Sequence, residues 1–375
     1  MAEVMRACLL RAALSRNRSA ANYVLGNPKA WLGTAYHEVL EKLADAIPDA
    51  SSLDAVVEQL WNAAIATQHG RALAHSLDAR FGAPTTWPGY HLARAAVRLR
   101  AQEMIRADVS RAETRGAPPN ELREKEFTAF DGKLLGRPDL IRADEIVDYK
   151  SGTVNEFDEA TQTDVVKAAY VRQLRIYGFL VKQVLGRWLA RGVLLPLAGA
   201  GVEVALDPAD CTREAAEAVT LLDDYNTRVR SGDPVQSLAT ASPASCKWCS
   251  FKLICPAFWH AASSSWSGGL EGAAVEGVLL EPVRTIHGGS ALAISLDIQR
   301  GTEAPQRAEI APLNPSVHSS LRELRVGDRV RVVSLRTRTD GKLVPTTRTI
   351  VASVTDLPSF ETSVLGSERG PDPRS

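Results

Sequence analysis

Several features that would assign a protein to a class at once are missing from this sequence of 375 residues. Basic and acidic side chains number 44 each, so the formal net charge is zero, which excludes a protein whose whole surface attracts nucleic acid. The longest apolar run, residues 193–206, is interrupted by Pro196 and several glycines, whereas a membrane-spanning helix needs about 20 apolar residues. We therefore expect no transmembrane segment.

Two further signatures are absent. The P-loop pattern G-x-x-x-x-G-K-[ST] does not occur, so we expect no ATP-driven motor in this chain. Residues 1–17 contain Glu3 and arginines around a short apolar run, which is not typical of a secretory signal. Five cysteines are too few for a disulfide scaffold in a chain of this length. These observations favour a cytoplasmic protein.

The periodicity of apolar residues predicts helices first and strands afterwards. Helices are predicted at 35–46, 53–69, 90–115, 159–185 and 212–231. Between them, short β-prone runs are predicted as strands at 123–130, 133–142, 145–150, 191–195 and 201–206. The Asp131-Gly132 pair is a strong hairpin signal, and the segment 116–120, GAPPN, ends the third helix. The pattern indicates an α/β fold with a mixed sheet flanked by helices.

After a linker at 263–270, the character of the sequence becomes β throughout. Five strands are predicted in AVEGVLLEPV, SALAISLDI, RAEIAPL, DRVRVVSLRT and RTIVASV. This count favours a small all-β barrel at 271–362 that is OB-like, with an SH3-like barrel as the alternative, followed by a disordered tail at 363–375. Residues 319–350 carry eight Lys or Arg against three acids, but Phe360 is the only aromatic residue after Trp266, which weakens the case for base stacking there.

Three charged residues interrupt two apolar strands in GRPDLIRADEIVDYKSG. Asp139 lies near one strand, and Asp148 and Lys150 are two positions apart on the next, so they share a face. Paired carboxylates are what Mg²⁺ prefers, and a lysine beside them can orient water and stabilise charge on a phosphodiester. The alternative is a surface ion pair, which the apolar flanks disfavour because buried unpaired charges are costly.

Four motifs in this order resemble the PD-(D/E)XK nuclease superfamily. The resemblance is to the RecB/AddB-like branch, which includes the CRISPR-associated exonucleases of spacer acquisition. The matching segments are Gly33 to His37 for G-x-x-x-H, Gly136 to Asp139 for G-x-x-D, Asp148 to Lys150 for D-x-K, and Gln173 to Tyr177 for Q-x-x-x-Y. The resemblance implies a restriction-endonuclease-like fold, expected here over residues 1–262.

The resemblance also implies a role for each matching residue. Asp139 and Asp148 would bind Mg²⁺ or Mn²⁺ with His37 as a further ligand, and Lys150 would be catalytic. Gln173 and Tyr177 would position DNA or the lysine. Glu126 is a further acidic candidate. The implied activity is that of a metal-dependent deoxyribonuclease, an exonuclease acting on single strands or ends, in DNA repair, recombination or defence. The alternative is a non-catalytic DNA-binding or scaffold subunit of a helicase-nuclease or defence complex.

The cysteines form a pattern of their own. Cys246, Cys249 and Cys255 have the spacing C-x₂-C-x₅-C, which with a distant fourth cysteine suits a 4Fe-4S cluster. A zinc site completed by His260 is the alternative. The resemblance implies that Cys8 is the fourth ligand, although the proline that commonly follows this first cysteine is missing here. Cys211 lies outside the pattern and is expected to be a buried thiol.

Overall fold

A computed structural model describes residues 2–46, 52–115, 121–197 and 199–360. Its helices are α1 Ala2–Ala7, α2 Leu9–Leu14, α3 Arg18–Ala21, α4 Pro28–Ala46, α5 Leu53–Ala74, α6 Tyr90–Arg115, α7 Ala168–Leu185, α8 Pro208–Arg230, α9 Pro243–Cys246 and α10 Pro256–Ala261. Within the ranges given, none of them combines the length and the apolar character needed to cross a bilayer.

The strands are short in the first part of the chain and longer in the last. They are β1 Leu122–Arg123, β2 Phe127–Ala129, β3 Leu134–Gly136, β4 Leu140–Arg142, β5 Glu145–Lys150, β6 Asn155–Asp158, β7 Thr163–Val166, β8 Arg191–Pro196, β9 Val202–Ala205, β10 Ala273–Leu279, β11 Arg284–Ile286, β12 Ala291–Gly301, β13 Gln306–Leu313, β14 Arg329–Thr337, β15 Leu343–Val344 and β16 Ile350–Ser353. Residues 26–222 form one compact unit, and residues 1–25 with 223–375 form another.

The unit of residues 26–222 is built on a five-stranded sheet with the order β1-β4-β5-β8-β9. Its central pair, β5 and β8, is parallel, whereas the other pairs are antiparallel. The predicted mixed α/β sheet is therefore confirmed. Five of the six β5 residues are buried, because a strand between two others at the centre of a covered sheet has no face left for water.

Helices α4, α5 and α6 pack into one core with the sheet. Tyr36, Trp61 and Val97, one from each helix, are fully buried and belong to the same apolar cluster as Val147 on β5. Gly33 permits the close approach of α4 to the sheet, because a Cβ there would lie 2.4 Å from the Ser151 hydroxyl, one residue beyond β5. The packing therefore brings the first turns of α4 to the carboxyl end of β5.

Three predictions in this unit were wrong. The strand predicted at 123–130 is two strands, β1 and β2, which belong to different sheets. The helix predicted at 159–185 begins only at Ala168, and the antiparallel strands β6 and β7 occupy 155–166. Asp158 stabilises the hairpin turn by accepting a hydrogen bond from the Ala160 N–H at 2.9 Å, a local alternative to a helix. The strand predicted at 133–142 is split into β3 and β4 around Pro138, which lacks the N–H needed for strand pairing.

The Asp131-Gly132 turn is confirmed. Phe130, Asp131 and Gly132 have φ values of 53°, 53° and 82°, so the chain reverses through left-handed conformations that glycine and aspartate tolerate best. It joins β2 to β3 in a separate two-stranded sheet. The segment 116–120 lies outside the described residues.

The last part of the chain forms a curled sheet of seven strands, with β10 paired to β12 and β14. The five predicted strands are present, and the short strands β11 and β15 were missed. Alternating residues of these strands, such as Val275, Leu296, Ile310 and Val332, form its core. Closure of this sheet as an OB-like barrel and the domain limits 1–262 and 271–362 stay predictions, and the predicted tail at 363–375 lies outside the described residues.

Candidate active site

The centre of the site lies at the carboxyl end of β5, where Asp148 and Lys150 share a face. Only 2% of Asp148 is exposed, and its Oδ2 forms a close ion pair with the Lys150 ammonium. Two-residue spacing on a strand puts these side chains on one side of the sheet. The predicted proximity of this acid and this lysine is confirmed.

The second carboxylate comes from the loop before β4. The Tyr149 N–H donates to Asp139 Oδ2 at 2.6 Å, which fixes the Asp139 side chain against β5. Helix α4 contributes His37, whose Nδ1 lies 3.7 Å from the same oxygen. Asp139 therefore lies between the backbone of β5 and the imidazole of His37, in the space that the close packing at Gly33 permits.

Helix α7 supplies the remaining side chains. Lys150 Nζ donates to Gln173 Oε1 at 2.8 Å, and Gln173 Nε2 donates to Tyr177 Oη at 2.9 Å and more weakly to Asp148 Oδ1 at 3.4 Å. Residues four apart on a helix are neighbours, which explains the bond from Gln173 to Tyr177. One amide thus connects the lysine, the buried carboxylate and the tyrosine hydroxyl.

The electrostatics of Asp148 are unfavourable for a charged carboxylate. Burial raises the pKa of Asp148, and the nearby Asp139 carboxylate raises it further, while Lys150 and His37 oppose the shift; the result is a pKa of about 6. A second carboxylate disfavours ionisation of the first because like charges repel. A cation placed between them would remove this repulsion.

The donor set is that of a hard metal ion, although it is not a complete cage. Within residues 2–46, 52–115, 121–197 and 199–360, no three His, Cys, Asp or Glu side chains are close enough to one another to hold a metal unaided. Asp148 Oδ2 is buried and, apart from Lys150, receives no hydrogen bond from the part of the chain described here. Two carboxylates with water completing the shell is a common arrangement for Mg²⁺.

Comparison with known protein families gives a match to the PD-(D/E)XK nuclease superfamily over residues 2–256. The chain belongs to this superfamily. Its members are typically nucleases and generally use divalent metals such as Mg²⁺ or Mn²⁺. The match covers all four motif segments named above, and thus includes the residues that converge at the end of β5.

The curated proteins and the solved structures add no functional information on this PD-(D/E)XK protein. No curated protein matches the chain. Among solved structures, the chain is similar to the crystal structure of SSO0001, with 17% identity over 45% of this chain and 79% of that chain and a TM-score of 0.22. A TM-score this low carries no argument about the fold.

Three contacts at the site were not predicted from the sequence. The Tyr170 ring lies under the Lys150 ammonium, with 4.6 Å between Nζ and the ring centroid. Arg137 forms ion pairs with Glu41 on α4 and with Glu124, the latter at 2.8 Å. Glu41 is one turn after His37, and Arg137 is two residues before Asp139, so this arginine anchors the Asp139 loop to α4. Arg137 is part of the GRPD motif, but the motif does not indicate which acidic residues pair with this arginine.

Glu126, the further acidic candidate, does not lie on a strand of the five-stranded sheet. Glu126 is exposed immediately before β2, in the separate two-stranded sheet. The contacts of Asp139, Asp148 and Lys150 given above are made by other residues. The proposed role of Glu126 as an additional acidic member therefore has no support from these contacts.

Four of the five cysteines lie in the unit formed by residues 1–25 and 223–375, and Cys211 lies in the unit of residues 26–222. Four of them, Cys8, Cys246, Cys249 and Cys255, line one cavity. All five cysteines of the chain are free thiols, and Cys211 is fully buried elsewhere, as expected. Burial raises the pKa of the Cys255 thiol to about 12 and raises the pKa values of Cys246 and Cys249 as well.

Proposed function

We propose that this chain is a Mg²⁺- or Mn²⁺-dependent deoxyribonuclease whose active site lies at the carboxyl end of β5. One observation carries the proposal. Asp139, Asp148, Lys150 and Gln173, from a loop, a strand and a helix, converge in one network around a buried carboxylate whose pKa is raised to about 6. Such an unfavourable arrangement of charge is typical of functional sites rather than of structural ion pairs.

Asp139 and Asp148 would hold the metal, with His37 beside them. The metal, when bound, would act as a Lewis acid on the phosphodiester. Among the described residues, the buried Oδ2 of Asp148 has only Lys150 as a partner. This oxygen and the repulsion between the two carboxylates both fit a divalent cation. Deprotonation of Asp148 is a requirement for this role, and near neutral pH a group with a pKa of about 6 is mostly ionised.

Lys150 is placed to act on the attacking water and on the phosphate. Its ammonium is held by Asp148, by Gln173 Oε1 and by the Tyr170 ring. A fixed ammonium can orient the water that attacks phosphorus and stabilise the negative charge that develops as the phosphorus–oxygen bond breaks. Gln173 and Tyr177 act as positioning residues, because their hydrogen bonds hold the lysine in place.

The mode of action is also part of the proposal. An exonuclease acting on single strands or ends, within DNA repair, recombination or defence, is supported by the resemblance to the RecB/AddB-like branch. Because the sequence has no P-loop, any DNA unwinding that accompanies cleavage would be supplied by a partner helicase.

A 4Fe-4S cluster bound by Cys8, Cys246, Cys249 and Cys255 belongs to the same proposal. These thiols line one cavity, and backbone N–H groups already donate to two of the sulfurs, from Arg11 to Cys8 at 3.5 Å and from Phe258 to Cys255 at 3.4 Å. Such hydrogen bonds stabilise cluster thiolates. The zinc alternative required His260, which is exposed and does not line the cavity.

The nuclease proposal is tested by cleavage of end-labelled single- and double-stranded DNA with Mg²⁺ or Mn²⁺, using anaerobically purified protein. We expect Lys150→Ala to lower the cleavage rate by about 10²- to 10³-fold. Lys125→Ala is the matched control, because that lysine is exposed before β2. An exonuclease will leave circular single-stranded DNA intact.

Two outcomes would contradict the proposal. If folded wild-type protein shows no metal-dependent cleavage, the non-catalytic DNA-binding or scaffold subunit becomes the better description. If Lys150→Ala cleaves as fast as wild type, the activity belongs to another site. The cluster is tested separately by colour, iron and acid-labile sulfide: Cys249→Ser should lose them and Cys211→Ser should keep them, whereas a zinc protein would be colourless.

A further inference from the structure

Trp248 lies between two of the clustered cysteines and is exposed to solvent. Its exposed fraction is 60%, whereas the other six tryptophans are buried or partly buried. The ammonium of its neighbour Lys247 lies 5.4 Å from the centre of the ring. A large aromatic ring left in water with a cation beside it is typical of a binding surface.

A pocket opens next to this ring. Its charged and polar lining consists of Ser250, Lys252, Glu271, Ser334 and Arg348, in addition to Trp248. Lys252 and Arg348 provide two cations against the single acid Glu271. Arg348 forms no ion pair with any residue that the structure describes. The pocket therefore offers an uncompensated positive charge near an exposed aromatic face.

The backbone at Arg348 is held in place by an unusual turn. Ser334 on β14 has a φ of 62°, a left-handed conformation that is uncommon for serine. Its carbonyl oxygen accepts hydrogen bonds from the hydroxyls of Thr346 and Thr349, both at 2.9 Å. The Arg348 N–H in turn donates to Thr346 Oγ1 at 3.1 Å. Local strain of this kind persists where the surroundings fix it, often at a binding site.

The tryptophan side of the pocket is equally fixed. The Lys247 carbonyl accepts hydrogen bonds from Lys252 Nζ at 3.2 Å and from the Glu271 N–H at 3.4 Å. The Cys249 N–H donates to the Cys246 carbonyl at 3.1 Å. These hydrogen bonds fix the backbone on both sides of the pocket before a ligand binds, which lowers the entropic cost of binding.

The geometry points to a subsite for one nucleotide of single-stranded DNA, with its base stacked on Trp248 and a neighbouring phosphate paired with Arg348. Stacking on an aromatic ring combined with a cation for the backbone is how proteins bind single strands without reading sequence. A base within a duplex has both faces covered, so the exposed ring selects unpaired bases. This subsite rests on the proposed DNA substrate only for the choice of ligand, and it lies outside the residues proposed to cleave.

Binding can be measured without cleavage. We would titrate the full chain, purified anaerobically, into a fluorescein-labelled oligothymidylate in EDTA and follow fluorescence anisotropy. The second probe is an oligomer of the same length whose sugars carry no bases. The variants are Trp248→Ala, Trp248→Phe and Arg348→Gln, with Arg336→Gln as control, since Arg336 is exposed on β14 and does not line the pocket.

We expect Trp248→Ala to raise the Kd for oligothymidylate about tenfold and to leave the Kd for the base-free probe unchanged, while Trp248→Phe stays within about threefold of wild type. Arg348→Gln should weaken binding of both probes and reduce the slope of log K against log salt by about 0.7. Arg336→Gln should bind as wild type does.

Equal affinity of wild type and Trp248→Ala for oligothymidylate, in variants with unchanged circular dichroism, would overturn the proposal. An equal loss of affinity for both probes in Trp248→Ala would also overturn it, since this result would show an anion site without base stacking. A third contradicting result would be an equal loss of affinity in Arg348→Gln and Arg336→Gln. Because cleavage plays no part in this measurement, its failure leaves the nuclease proposal intact, and loss of nuclease activity leaves this subsite intact.

Discussion

Asp148 on β5 and Glu276 on β10 are both buried carboxylates, with exposed fractions of 2% and 1%. Glu276 is surrounded by arginines: Arg331 donates to it at 2.8 Å, and Arg329 forms a close ion pair. Burial pushes the pKa of Glu276 upward, but these hydrogen bonds outweigh burial and hold its pKa below the usual value. Asp148 has one lysine and faces a second carboxylate, so its pKa is raised.

The different partners of Asp148 and Glu276 show how a buried carboxylate with a structural role can be told apart from one at a functional site. Arg331 also donates to the Leu253 carbonyl at 3.0 Å and stacks 4.9 Å from the Trp259 ring, so the Glu276 cluster joins the curled sheet to the cysteine-rich segment of the same unit. The Glu276 carboxylate is compensated by these arginines, as expected of a structural ion pair. The charges around Asp148 are not compensated, which fits the cation-binding role proposed for this site.

The strongest test of this contrast is the variant Asp148→Asn. We expect it to lose cleavage by about 10³-fold, because one of the two carboxylates proposed to bind the metal is gone. Above pH 6 we also expect it to be more stable than wild type in the absence of metal, because the repulsion from Asp139 is removed. Cleavage assays and urea unfolding measure the two effects. A variant that is both active and less stable would show that Asp148 is structural.

The converse variant is Glu276→Gln. It should lower the free energy of unfolding by about 3 kcal/mol, because it leaves the largely buried Arg331 without its anion. Urea unfolding of the full chain measures this, and Glu281→Gln is the control. Glu281 is exposed and pairs loosely with Arg284 at 3.9 Å, so its loss should cost less than about 0.5 kcal/mol. A similar loss of unfolding free energy in both variants would show that Glu276 is no more important for stability than an exposed glutamate.

The two carboxylates should also give stability opposite dependences on pH. The folded state holds a proton on Asp148 more tightly than the unfolded state does, so this residue lowers stability progressively as pH rises from about 4 to about 6. The lowered pKa of Glu276 has the reverse effect, and its contribution is lost as pH falls below the usual glutamate range.

Metal-free urea unfolding between pH 4 and 7.5 measures this difference. The stability of Asp148→Asn relative to wild type should increase with pH up to about 6 and then stay level, whereas the deficit of Glu276→Gln should shrink toward pH 4. Added Mg²⁺ should stabilise wild type at pH 7.5 and leave Asp148→Asn unchanged. A pH-independent difference for Asp148→Asn would mean that its pKa is not raised.

The smallest expected effect concerns Tyr170, which stabilises the lysine rather than either carboxylate. Tyr170→Leu should lower kcat about tenfold, because a cation over an aromatic ring gains about 1–2 kcal/mol when partly desolvated. Tyr170→Phe keeps the ring and should restore the rate. If the phenylalanine variant is as slow as the leucine variant, the hydroxyl rather than the ring is what matters.

Much of the candidate site could be predicted from the sequence, because the spacing of its motif residues fixes which side chains share a face of one strand or helix. The spacing of Asp148 and Lys150 predicted a shared face, and that of Gln173 and Tyr177 predicted a shared helix surface; both are confirmed by direct contacts. The hairpin at 155–166 was missed, because its apolar residues Val165 and Val166 also fit the helix that follows.

The sequence by itself determined which residue types carry the chemistry, through periods of two and 3.6 residues that fix side-chain direction within a strand or helix. It could not determine that Tyr170 lies under Lys150, that Arg137 links the Asp139 loop to Glu41, or that Asp148 is left with a raised pKa. Those features depend on contacts between elements far apart in the chain and on how much water they exclude. Only the tertiary structure decides them, because the free energy of a charge depends on its surroundings rather than on its neighbours in sequence.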